Sequence, residues 1–158
     1  MELVPWMDQA WAELGQHEVA GDADNPRIIA FYRDAGYLPP VHDETAWCAA
    51  FVGAALQRAG IAGTGSLLAR SYLTWGSPLS APRYGAVAVF SRGDDLSNGH
   101  VAFCLDVDAG NVFVLGGNQG DGVTVTAIDR GRLLGLRWPA ITAAPLEPAA
   151  RAPAAAPE

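Results

Sequence analysis

Near Pro82 the apolar pattern of this chain changes period, so that one half must build helices and the other a sheet. Upstream, Trp6, Met7, Ala10, Trp11 and Leu14 recur at helical spacing and predict a helix over residues 5–14 that stops at Gly15. Asn25 as N-cap and Pro26 at the first helical position open a second helix, which carries Ile28, Ile29, Phe31 and Tyr32 and ends at Gly36. A third lies within Asp43–Gly60, capped by Asp43 or Thr45, with Phe51, Val52, Ala55, Leu56 and Ala59 on one face. A shorter helix is expected from a Ser66 cap to Trp75, ahead of Gly76 and Pro78. Downstream, residues 86–90, 101–107, 112–115, 123–128 and 133–138 are short runs of Val, Ile, Leu and Phe separated by Gly, Asp and Asn, the pattern of strands. Helices followed by an antiparallel meander define an α+β domain over residues 1–140. From Ala140 onward the chain is Ala-, Pro- and Glu-rich, and residues 141–158 are expected to form a disordered tail.

The chain as a whole excludes several functions. Its 158 residues suit one core, and a formal net charge of -7 argues against binding nucleic acid or an anionic lipid surface by bulk electrostatics. No run of 18 apolar residues occurs, so no membrane insertion is expected. The N-terminus lacks both a basic region and an apolar secretory core, which predicts synthesis in the cytoplasm without a signal peptide. Two cysteines and three histidines, with no Cys-x-x-Cys or His-Glu-x-x-His spacing, supply no clustered metal site, and no cofactor is implied.

The chemistry concentrates at three positions. Cys48 falls in the first turn of the third helix, where unpaired N–H groups and the helix dipole favour an anion and are expected to lower a thiol pKa. His100 opens a strand and Asn118 closes the next. A three-residue Asp108-Ala109-Gly110 loop, with Gly110 left-handed, would pair 107 with 111, 104 with 114 and 100 with 118. Asn118 would then face His100 and accept from its imidazole. Gln119 is the other candidate for that part, although simple alternation points it to the opposite face. Cys48, His100 and Asn118 together suit thiol attack on an acyl carbon, with histidine moving the proton and the amide fixing the ring. His100, Ala102 and Cys104 share one strand face, and the small pair would admit the Ala-rich helix there. A Cys48–Cys104 disulfide is the structural alternative. Cys104 lies roughly 13 Å along the strand from His100, so disulfide and catalytic pair exclude each other. Around them, Trp47 and Glu44 are candidate walls of a substrate groove, and Gly117, beside Gly116, is a candidate for giving room to substrate backbone, with Gln119 next to it. His17 and His42 read as solvated.

At these residues the sequence resembles the CHAP and NlpC-type superfamily of papain-like cysteine amidases and peptidases. The resemblance is carried by Asp43-Glu44-Thr45 with Trp47-Cys48 and Ala50-Phe51-Val52, by Gly99-His100-Val101, and by Val114-Leu115-Gly116-Gly117-Asn118-Gln119. Weaker pieces at Pro5-Trp6-Met7, Gly63-Thr64-Gly65-Ser66, Trp75-Gly76 and Arg137-Trp138-Pro139 extend it over most of residues 5–139. One departure is Ala86, where the family's Pro-x-x-Gly-Asp-Ile stretch carries an acid. The resemblance implies a papain-like fold, with the nucleophile at a helix N-terminus packed on the antiparallel sheet. It implies Cys48 as nucleophile, His100 as general base and Asn118 as third polar residue. It also implies peptidoglycan as the partner, cut as an N-acetylmuramoyl-L-alanine amidase or a stem-peptide endopeptidase. The alternatives are a non-catalytic wall-binding module of the same fold, or a thiol peptidase or acyltransferase with another substrate. A monomer is expected, delivered to the wall or periplasm as a phage lysis or tail protein or by a secretion apparatus.

Overall fold

The computed structural model describes residues 4–19, 25–36, 47–94, 96 and 98–140. Three helices, α1 (Pro5–Trp11), α2 (Pro26–Asp34) and α3 (Cys48–Arg58), precede six antiparallel strands. These are β1 (Ser77–Pro78), β2 (Val87–Ser91), β3 (Gly99–Val107), β4 (Asn111–Gln119), β5 (Gly122–Asp129) and β6 (Leu133–Trp138), in sheet order β1-β6-β2-β3-β4-β5. The architecture is the α+β, papain-like one expected of the sequence. No helix among the described residues is long and apolar enough to cross a membrane. The expected tail, residues 141–158, lies outside the described residues.

Local chemistry explains the elements and their limits. The Asn25 side chain accepts from the Arg27 N–H and Pro26 sits at N1, so α2 starts as its sequence dictates. α1 ends at Trp11 and continues to Gly15 only as turns. The segment expected to form a helix from Ser66 to Trp75 is instead a 3-10 helix over Ala69–Thr74. Ser66 caps a local turn by accepting from the Leu68 N–H, and Leu68 itself stays extended. The two-residue strand β1 has too little pattern to be read from sequence.

The sheet buries both faces. Val87, Val89, Val101, Phe103, Leu115 and Val123 join the helices in the larger core, where Phe51 packs edge-on to Phe103 at 6.1 Å. Ala86, Ala88, Phe90, Ala102, Cys104, Val112, Val114 and Ile128 form a second cluster on the opposite face. The Ala-rich helix α3 thus lies on the Val101–Phe103 face. The sequence pointed to the Ala102–Cys104 face, but large side chains on both partners interlock better than a double layer of small ones would. Both cysteines are free and buried in different clusters, which disposes of the disulfide.

Candidate active site

The hairpin that carries the candidate residues departs from simple alternation twice. Cys104 pairs with Val114 as expected, but one extra residue enters before Asp106, so Val107 pairs with Val112. Gly110 is not left-handed: the Asp108 carboxylate accepts from the N–H groups of Gly110 and Asn111 and closes the loop instead. At the other end the β3–β4 ladder stops at Phe103–Leu115, short of His100 and Asn118.

The second irregularity decides the site. Gly120 and Asp121 both have φ near +60°, a two-residue hairpin turn that fixes Gln119 opposite Gly122. Further along, Gly116 pairs with Thr124, so β4 holds one residue more than β5 between these pairs. The bulge is taken up at Asn118, whose φ is 59°. Asparagine tolerates this conformation better than most residues. The bulge cancels one alternation, and Gln119 rather than Asn118 meets the histidine, with Gln119 Oε1 2.8 Å from His100 Nε2. Asn118, expected to orient the ring, lies instead on the wall of an adjoining cleft.

The amide and the imidazole can be oriented by donor logic. Gln119 Nε2 donates to the Thr124 carbonyl oxygen at 2.7 Å, and a carbonyl only accepts. Gln119 Oε1 therefore faces His100 and must accept, which places the imidazole proton on Nε2. His100 Nδ1 is left with its lone pair, buried and without a hydrogen-bond partner among the described residues. Gly116 makes this possible, since a Cβ there would come within 2.5 Å of Gln119 Oε1.

Cys48 is the first residue of α3, after Trp47 with no side-chain cap. Its sulfur lies by the N–H of Val101, the neighbour of His100, and by the N–H groups of Ala49 and Cys48 itself. The helix N-terminus therefore delivers the thiol to the backbone of β3 where that strand has parted from β4. Burial pushes the Cys48 thiol up, although these N–H groups and the Arg92 charge pull the other way. The expected lowering by the helix terminus is thus overridden by desolvation: Cys48 is 5% exposed. Burial also holds His100 down to about 4, against the Gln119 hydrogen bond, with Arg92 and Arg132 adding to the depression. At neutral pH both groups are uncharged, a thiol at the start of α3 and an imidazole on β3 whose free nitrogen can take a proton.

The groove residues behave differently. Trp47 is fully buried, stacked on Phe31 at 5.8 Å, with its N–H donated to Glu18. It is a packing residue, because the bulk of the indole fills the space between α2 and β4. Gly117 is likewise buried and gives room to protein rather than substrate: a Cβ there would meet the Trp47 ring at 2.6 Å and Phe51 Cβ at 2.7 Å. Glu44 and His42, with Asp43 and Thr45, lie outside the described residues; α3 starts at Cys48 with Trp47 as its N-cap rather than the expected Asp43 or Thr45. His17 is tied to β5 by a bridge to Gly122.

A helix bearing a cysteine at its N-terminus, set against an antiparallel sheet that carries an amide-held histidine, is the arrangement of papain-like cysteine hydrolases. The profile of the CHAP domain family matches residues 40–118, and the chain belongs to that family. Its members are generally cysteine- and histidine-dependent hydrolases of the peptidoglycan amidase and peptidase type. The match spans Cys48 and His100 and stops one residue short of Gln119. A search of curated proteins returned no match.

Proposed function

We propose that this protein cleaves an amide bond of peptidoglycan through a thioester acyl-enzyme, with Cys48 as nucleophile, His100 as base and Gln119 as the orienting amide. The observation that carries the reading is the His100–Gln119 contact, which fixes the tautomer and leaves Nδ1 free, one residue before Val101, whose N–H lies by the Cys48 sulfur. In the acylation step the Cys48 proton passes to His100 Nδ1 as sulfur bonds to the acyl carbon. The Nδ1 proton then goes to the leaving amine as the C–N bond breaks. Water, deprotonated by the same nitrogen, attacks the thioester and releases the acid and the thiol. The N–H of Cys48 is a donor for the tetrahedral oxyanion. Neutral Gln119 orients the imidazole without adding a buried negative charge.

The bond cut is either that between muramic acid and L-alanine or one within the stem peptide. Mass spectrometry of purified peptidoglycan, digested with wild type and with Cys48→Ser, tests both points. New fragments in the wild-type digest alone are expected, and their masses identify the bond. Equal fragments from Cys48→Ser, or none from wild type, would contradict the assignment.

A further inference from the structure

The cleft beside His100 is charged against the rest of the molecule. It has a volume of about 510 Å³ and is walled by Arg92, His100, Asn118, Thr126 and Arg132 among others, with no acidic residue among the described ones. In a chain of net charge -7, two arginines thus line one cleft with no carboxylate among the described residues of its wall. Both act on the His100 ring, and Arg92 also acts on Cys48. Arg132 is held in place, its Nε and Nη2 both donating to the Ser91 carbonyl oxygen, which leaves Nη1 for a ligand. Arg92 is exposed, and among the described residues neither guanidinium forms an ion pair. The β4 bulge turns Asn118 towards the same space.

We infer that this cleft is a carboxylate-binding subsite, in which Arg92 and Arg132, with Asn118, hold an anionic group of the substrate next to the reacting bond. The inference rests on the hydrolase reading above and narrows its substrate to wall peptides with a free carboxylate near the scissile amide. Guanidinium groups suit this part because their N–H pairs match a carboxylate, and binding an anion there offsets two like charges that line one cleft. It also removes positive potential from His100, easing protonation of its ring once substrate is bound.

The test compares kcat/KM on two synthetic muramyl stem peptides that differ only in whether the carboxylates are free or amidated. Wild type is expected to prefer the free acid by about 10- to 100-fold, and Arg92→Gln and Arg132→Gln each to reduce that ratio about ten-fold. Among the described residues Arg92 makes no structural hydrogen bond, so its variant answers even if Arg132→Gln fails to fold. A wild type without preference, or variants that keep it, would overturn the subsite. The rates of Cys48 alkylation by iodoacetate and iodoacetamide give a readout that needs no hydrolysis, because their ratio cancels the thiolate fraction. Should wild type cleave neither peptide, the hydrolase reading fails. The subsite then stands if Arg92→Gln lowers the iodoacetate-to-iodoacetamide ratio at Cys48, and falls if it does not.

Discussion

His100 does two things that pull against each other: it must be buried to be held, and burial disfavours its charged form. The same burial links its protonation to folding. A folded-state pKa of about 4, against an ordinary value of 6.5, means that between these limits the unfolded chain binds a proton that the folded chain refuses. This contribution is complete above pH 6.5 and is lost as pH falls towards 4. It amounts to about 3 kcal/mol at about 1.4 kcal/mol per pH unit. Urea denaturation at pH 7 and pH 4.5 should show wild type losing more stability than His100→Gln over that interval. Parallel losses would mean that the buried imidazole is not the titrating group.

At the scale of the element, β4 shows how far the site could be read from sequence. The places of Cys48 and His100 in the fold were legible because each is marked locally, one by the first turn of an apolar-periodic helix and the other by the start of an apolar strand. Asn118 was misread because sequence alternation carries no sign of a bulge. Its only traces are Gly120-Asp121, residues suited to a tight turn, and asparagine, which tolerates positive φ, just before Gln119. Trp47 and Gly117 were misassigned for a related reason, since a bare glycine makes room equally for substrate or for an indole ring. The face of the sheet chosen by α3 was likewise invisible, because both faces of β3 are apolar. The bulge also makes a prediction. Gly116→Ala would place a methyl group against Gln119 Oε1 and Ala102 Cβ, destabilising the fold by about 1–3 kcal/mol and displacing the amide from His100. Urea denaturation and wall-hydrolysis rates measured together should show both losses. Wild-type activity in this variant would show that the amide does not need its place.

Over the whole molecule, the candidate site joins two layers: the helical layer contributes the Cys48 sulfur, and the sheet contributes the His100 imidazole and the Gln119 amide. The helical layer is itself tied together by charge. Buried Glu13, just beyond α1, bonds to Arg27 of α2 and Arg58 of α3, and Arg58 also reaches Asp34 of α2. α3 is thereby tied to α1 and α2, and Phe31, Trp47 and Phe51 carry the packing from α2 through α3 to β3. The central claim is that Cys48, His100 and Gln119 work as one unit across that seam. It is tested most directly by kcat/KM for peptidoglycan hydrolysis by wild type, Gln119→Ala and Asn118→Ala. Gln119→Ala is expected to lose about 100-fold or more, as removal of an orienting group does, and Asn118→Ala no more than about ten-fold. A larger loss in Asn118→Ala than in Gln119→Ala would contradict the assignment.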